Sequence, residues 1–425
     1  MFSLLSPLFS AARTSPAKGC SPIGVDLGAD SLRMIQLADI ATAPRLVAAA
    51  SRDVPTFAAA DANAYAEFAG EAMREMIREC DFSGRRATLG LPAHQQHWLH
   101  VRLPKHDAGQ MAEALQFACA GKLPFDPLAA VLRHHVVGDV YTEEGPRQEV
   151  LCTAARRSDV EKLLACAEQA RLDVSGITAS PTALCDGFSR VYRRASDAET
   201  GWCFVDIGQS STRIVIARAG HVYFARAIPV GGTHLNKAVA AAVGVSDDEA
   251  KLMRMHADDT LEDPLAKPQA DEDVTGRREE DHSFALLGAA TRAGETHQAE
   301  RQLAATSVGQ AEAAVLDTLA DEIDRCRRYH EAAFANVPVQ RLAFIGGESR
   351  RKSTCMRIAR RLSLAAQIGD LMPRLLGNGM PASAAAAGIV PGEPQPSWSL
   401  ATCLAMPPVK GSGLQPAQHA AAHAA

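Results

Sequence analysis

Two carboxylates, Asp26 and Asp206, sit where their surroundings could do chemistry. Asp26 ends an apolar run in "GVDLGADSLRMIQLA" and Gly28 follows it; Asp206 and Gly208 repeat the arrangement in "FVDIGQSSTRIVIARAGHVYFARAIPV". A carboxylate at the end of a strand costs β-propensity, and a glycine two residues later lets backbone N–H groups turn toward an anion. Either turn alone reads as ordinary Asp-Gly turn chemistry. Together they suggest one shared ligand: the amides would cradle phosphate oxygens while Asp26 and Asp206 hold a hydrated Mg2+, which needs few protein carboxylates.

Each turn opens a β-meander. The returning strands are "SLRMIQLA" and "STRIVIARA", followed by "RLVAAASRDV" and "HVYFARAIPV". Two such meanders predict a duplicated α/β unit whose halves face each other across a cleft. A chain of 425 residues with 47% hydrophobic and 22% charged residues can bury two substantial cores. The net charge of −5 and the pI near 6.3, with no basic stripe interleaved with aromatics, argue against a nucleic-acid surface. Ten cysteines without C-x-x-C spacing read as reduced core thiols of a cytosolic protein rather than as a disulfide framework or zinc site. No run approaches the roughly 20 apolar residues of a membrane span.

"MFSLLSPLFSAAR" lacks a basic start, and Pro7 interrupts its apolar run, so residues 1–21 read as a frayed tail. The alternative is a short interfacial anchor of Phe2, Leu4, Leu5, Leu8 and Phe9. A first lobe is expected over 22–97 and 151–200, interrupted by an inserted α/β subdomain at 98–150. The second lobe is expected over 201–255 and 306–406, interrupted by a disordered acidic insertion at 256–305 that lacks apolar periodicity, with a tail at 407–425. Capping boxes are expected at Ser158 with Glu161 and at Ser246 with Glu249. Val315, Leu319, Ile323, Cys326 and His330 fall on one helical face. His94, His97, His100, His134 and His135 invite a metal hypothesis, but strand neighbours point to opposite faces, and solvated surface histidines are the expectation. Gly346 and Gly347 end a buried strand and would permit close backbone approach to a flat ligand such as adenine; the plain alternative is a turn.

The order of these pieces resembles the PilM family, actin-like proteins of type IV pilus assembly related to FtsA. The resemblance runs from about residue 22 to about residue 406. "GVDLGADSLRMIQL" and "FVDIGQSSTRIVI" are similar to the family's two phosphate motifs, and "KLPFDPLAAVLRHHVV" to a segment of its inserted subdomain. "DEIDRCRRYHEAA" is similar to its long helix, "LAFIGGESRR" to its adenosine motif and "WSLATCLAM" to its closing helix. The resemblance implies an actin-like, duplicated RNase H-like bilobal α/β fold with an inserted subdomain in the first lobe. It also implies ATP and Mg2+ in the cleft, with contacts from Asp26, Gly28, Ser31, Arg33, Asp206, Gly208, Ser211, Thr212, Gly231, Gly232, Lys251, Gly346 and Gly347.

Departures from the family pattern fall on that site. Arg33 stands where a lysine is usual, and Lys251 with Arg254 replaces the glutamate and lysine of an Ala-Glu-x-Leu-Lys helix. "SPTAL" at 180–184 offers no carboxylate to orient an attacking water. Nucleotide binding is therefore expected, with at most weak ATPase activity. The partner implied is the cytoplasmic tail of a PilN-like inner-membrane protein, placing the chain in the cytoplasm, peripheral to the inner membrane, in a pilus or a related secretion machine, with self-association possible. The tail is expected in a groove between the first-lobe core and the subdomain, walled by Met111, Leu115 and Phe117 and by Val131, Leu132 and Val136. The alternatives are a small-molecule kinase, for which no general base is found, and an FtsA-like division protein, for which the C-terminal "PVKGSGLQPAQHAAAHAA" lacks apolar anchors.

Overall fold

In the computed structural model, which describes residues 19–143, 145–191, 199–257, 284–376, 379–407 and 415–416, the first apolar run forms β1 (Ile23–Leu27), buried at every position. It pairs antiparallel with β2 (Ser31–Ala38), which pairs with β3 (Arg45–Asp53), and on its other side runs parallel to β4 (Arg86–Gly90). The helix Ala62–Glu79, whose N-terminus is capped by the Asp61 carboxylate, buries Met73 and Met76 against this sheet. The chain then leaves for β5 (His97–Leu103), β6 (Ala130–Thr142) and β7 (Gly145–Arg156) and returns through the helix Arg157–Gln169 as β8 (Asp173–Thr178), parallel to β4. The sheet order is β3-β2-β1-β4-β8.

The second half repeats this plan. β9 (Gly201–Ile207), β10 (Thr212–Arg218), β11 (His221–Ile228), β12 (Val339–Ile345) and β13 (Ala365–Ile368) form a sheet of order β11-β10-β9-β12-β13, with the same sequence of antiparallel and parallel pairings. At Ser246 the expected capping box forms: its N–H donates to the Glu249 carboxylate at 2.9 Å, and the Glu249 N–H donates back to its hydroxyl at 3.3 Å. At Ser158 it does not. The helix begins at Arg157, with Arg156 rather than Ser158 at the N-cap position, and has no side-chain cap.

Leu319, Ile323, Cys326 and His330 form the buried stripe of a long helix, Phe284–Ala333. That helix corrects part of the expectation for 256–305. Residues 258–283 lie outside the described residues, but 284–305 are helical. Their Ala, Gln, Glu, Arg and Leu content has high helix propensity and no proline, so the helix extends without an apolar stripe to announce it. The expected tails at 1–21 and 407–425 lie almost wholly outside the described residues.

β5, β6 and β7 form a separate antiparallel sheet of order β14-β6-β7-β5, with β14 at Gln415–Pro416. Its own core joins Val101, Leu103, Met111, Leu115, Leu132, Val150 and Cys152. Met111, Leu115 and Leu132 are therefore packing residues and not groove walls, because helix Ala108–Cys119 turns Met111 and Leu115 onto the sheet face from which Leu132 of β6 projects. Phe117, on the opposite side of that helix, is 85% exposed.

The histidines also depart from expectation. Only His94 of the five is exposed; His134 is buried. His100 stacks on Phe224 of β11 at 4.7 Å, and His135 meets His221 of β11, nitrogen to nitrogen, at 3.2 Å. These rings fill the seam between the third sheet and the second lobe. Burial, then the neighbouring His221, pulls the His135 pKa down to about 4, so the His135 ring is neutral at neutral pH. No metal-binding group occurs among the described residues. Nor is any described helix long and apolar enough to cross a membrane.

The last helix, Ser399–Ala405, returns to the first lobe. A Cβ at Gly24 would lie 2.2 Å from the Ala401 carbonyl oxygen, and one at Gly187 would lie 2.2 Å from the Cys403 sulfur, so both glycines are required by the close approach of this helix. All ten cysteines are free thiols, eight of them buried.

Candidate functional site

The duplicated meanders produce two matching hairpins. In the first, the Gly28 N–H donates to the Ser31 carbonyl at 3.2 Å; in the second, the Gly208 N–H donates to the Ser211 carbonyl at 3.0 Å. The strand register places Asp26 opposite Arg33 and Asp206 opposite Arg213. Opposed residues of antiparallel strands share a face, so each hairpin presents one carboxylate and one guanidinium side by side.

Both hairpins open onto one cleft of about 950 Å3. Of the residues expected at the site, Asp26, Gly28, Ser31, Arg33, Asp206, Gly208, Ser211, Lys251, Gly346 and Gly347 line it. Thr212, Gly231 and Gly232 do not. The Thr212 hydroxyl donates to the Val230 carbonyl at 2.7 Å and is buried. The N–H groups of Gly232 and Thr233, at the start of helix Gly232–Val243, donate to the carbonyls of Gly208 and Gln209 at 3.0 and 2.8 Å. That helix terminus supports the second hairpin from behind and has no amide there to offer a ligand. Gly346, with φ of +89°, is needed because a Cβ would lie 2.5 Å from the Asp206 carboxylate. Gly347 has nothing within 4 Å of the corresponding position, which leaves open space over the strand end.

The charges of the two hairpins are arranged differently. Asp206 forms an ion pair with Arg213 at 2.6 Å, with both side chains nearly buried. Arg213 also donates to the Ser180 hydroxyl at 3.1 Å, across the cleft floor, and Ser180 is held by the Gln96 amide. Asp26 is buried, and burial raises its carboxyl above the usual range against the pull of Arg213 and then Arg33, while Asp206 adds to the rise. Arg33 lies over the Trp398 ring at 5.9 Å. Its pKa is lowered by burial, against the attraction of Asp26 and Asp30, and Arg350 of the opposite lobe also pushes it down.

At the cleft mouth Lys251 reaches from the second lobe to Asp30 in the first hairpin at 2.7 Å. Deeper in, Arg254 is fully buried and bonded to Glu312, to Glu348 at 2.5 Å and to Asn236 at 2.5 Å; Arg351 also reaches Glu312. Burial pulls the Arg254 pKa down, but Glu348 and Glu312 outweigh it and hold it above its usual value. Lys251 thus belongs to a cross-cleft ion pair and Arg254 is the centre of a buried charge network.

Sequence reading missed Arg213, Asp30, Arg350 and Glu348. Arg213 was legible, since it follows Asp206 at the spacing by which Arg33 follows Asp26. Asp30 and Glu348 depend on partners far away in the chain and carry no local signal.

The chain matches the family profile described as Type IV pilus assembly protein PilM over residues 24–262, and that of cell division protein FtsA over residues 203–371. Its fold is similar to that of a chain in the PilM-PilN type IV pilus biogenesis complex, with a TM-score of 0.65 at 17% identity, covering 91% of this chain and 97% of that one. Ethanolamine utilization protein EutJ from Carboxydothermus hydrogenoformans gives a TM-score of 0.48 at 13% identity, covering 92% and 91%. Cell division protein FtsA of Bacillus subtilis (strain 168) is 29% identical over 112 residues, 26% of this chain and 24% of that protein, so the chain spans about a quarter of the curated relative it matches. The fold is actin-like. With two matching sheets facing one cleft, and more than half of its length within the profile, the chain belongs to the PilM family of type IV pilus assembly proteins.

Proposed function

We propose that the protein is an actin-like scaffold of type IV pilus assembly, or of a related secretion system, that binds a nucleotide in its cleft and a PilN-like membrane protein through its third sheet. The observation that carries this is the family match, which spans the first hairpin, the third sheet and the second hairpin together. By this reading the chain sits peripherally at the cytoplasmic face of the inner membrane, brought there by its partner's cytoplasmic tail. The FtsA-like division reading rests on a profile match over residues 203–371, within the second lobe.

The partner site is refined by the burial pattern. Phe117 is 85% exposed and Leu128 71% exposed, on the helix and the connecting turn of the third-sheet unit, whereas Met111 and Leu115 are committed to its core. Two large apolar side chains held in water by a rigid unit suit an extended apolar peptide, such as a membrane protein's short tail. ATP is the nucleotide that the family resemblance suggests. The cleft offers two hairpin turns, open space at Gly347 and a predominance of cations. Asp206 is engaged by Arg213, and helix Ser180–Ser189 begins with Ser-Pro-Thr where a water-orienting carboxylate would be needed, which favours binding over hydrolysis.

The test is calorimetric titration of a synthetic PilN-type tail peptide into wild type and into a Phe117→Ser, Leu128→Ser double variant with an unchanged circular dichroism spectrum. Wild type is expected to bind, and the variant to lose tenfold or more of the affinity, roughly the effect of removing two buried anchors. Equal binding would place the partner elsewhere.

A further inference from the structure

The fold family implies a magnesium ion at the two hairpin carboxylates, and the side chains here do not suit one. A hydrated Mg2+ is held by carboxylates that can spare their oxygens for its waters. Asp206 Oδ2 instead lies against Arg213 at 2.6 Å as an ion pair, without a hydrogen bond of its own, with 3% of the Asp206 side chain and 12% of that of Arg213 exposed. For Asp206 to hold the ion, a buried ion pair would have to break, leaving a guanidinium beside a dication. Arg213 has little room to withdraw, because its other arm is fixed on Ser180 at 3.1 Å and Ser180 is clamped by Gln96. Asp26 gives no second anchor: it is only 8% exposed and lies within the field of Arg213 and Arg33 together.

Around the hairpins the cleft carries more cations than carboxylates, although Lys251, Arg254, Arg351 and Arg357 already have carboxylate partners, so the charge facing the opening comes from Arg33 and Arg350. Nine Lys or Arg residues line it against five Asp or Glu, in a chain whose net charge is −5. Arg33 from the first lobe and Arg350 from the second repel each other across the opening, an arrangement that an anion between them would relieve. Guanidinium groups bind phosphate oxygens with paired, charge-assisted hydrogen bonds. A free nucleoside triphosphate carries about four negative charges at neutral pH, and magnesium ordinarily masks two of them.

Resting on the reading of the cleft as a nucleotide site, we propose that it binds a nucleoside triphosphate without a divalent cation, with the Arg213 guanidinium in the place of the metal and Arg33 and Arg350 closing on the phosphates from opposite lobes. Arg213 is then a positioning and charge-masking residue. The site has exchanged a removable cation for a permanent one, so magnesium no longer controls its occupancy.

The experiment is titration of ATP into the full-length protein by calorimetry, once in excess magnesium and once in EDTA. Wild type is expected to bind with affinities within about threefold of each other. Arg213→Met is expected to lose tenfold or more in EDTA and to regain affinity when magnesium is added, because Asp206 is then free to hold the hydrated ion. A loss greater than about threefold for wild type in EDTA overturns the metal-free inference while leaving the nucleotide reading intact. Binding in neither condition at millimolar ATP overturns both. Should Arg213→Met fail to fold, the wild-type comparison decides by itself, and Arg213→Lys, which keeps a cation there, is expected to stay insensitive to EDTA.

Discussion

The two hairpins share a strand register, a glycine turn and a carboxylate opposite an arginine, yet they are fixed by different means. The first is held at its glycine by a side chain, the Tyr65 hydroxyl donating to the Gly28 carbonyl at 2.9 Å, and at Asp30 by Lys251, and its Asp26 is buried beneath partly satisfied charge. The second is held by the backbone of helix Gly232–Val243, and its Asp206 is neutralised directly by Arg213. Duplication therefore conserved the geometry of the turn while the electrostatics diverged. One carboxylate became part of a fixed ion pair and the other remained responsive to charge in the cleft.

The same substitution in the two hairpins should consequently have opposite signs. Asp206→Asn leaves Arg213 buried without its partner and is expected to destabilise the protein by about 3 kcal/mol, measured by chemical denaturation. Asp26→Asn should stabilise it at pH 7. The folded-state pKa of Asp26 is raised above the ordinary carboxylate value of 3.8, so its stabilising contribution is complete below that value and is lost as pH rises through the folded pKa. The advantage of Asn over Asp should accordingly shrink as the pH is lowered toward 3.8. Destabilisation by both variants at pH 7 would mean that the hairpins are electrostatically alike.

The hairpin supports differ by a smaller amount. Tyr65→Phe removes the only side-chain bond described to the first turn's glycine carbonyl and should cost about 1 kcal/mol, since the freed carbonyl can take a water from the cleft. Hydrogen exchange should rise in residues 28–31 and stay unchanged in 208–211. Equal exchange in both turns would show that the tyrosine does not set the rigidity of the first.

How much of this was legible follows from the kind of information each feature uses. The meanders and the duplicated lobes were readable because strand alternation, Asp-Gly turns and glycine breaks are local, and the same pattern occurred twice. The long helix was legible from Val315 onward, where an apolar stripe faces the second sheet, and invisible over 284–305, where propensity alone carries it. Histidines 100 and 135 carry no local sign of burial because it comes from β11, a strand distant in sequence that packs across the third sheet. The site was half legible. Turn residues announced themselves, but the Lys251–Asp30 pair, the Arg254 network and the opposition of Arg33 to Arg350 exist only once the lobes close on each other.

The central claim is that both lobes grip one anionic ligand in the cleft. Calorimetric titration of ATP into wild type, Arg33→Ala and Arg350→Ala tests it most directly, because each arginine belongs to a different lobe and contributes a charge-assisted contact. Such a contact is worth about 1.5–3 kcal/mol, so each variant is predicted to bind ATP roughly tenfold or more weakly than wild type. Wild-type affinity in either variant would contradict the account, since the ligand would then be held by one lobe alone.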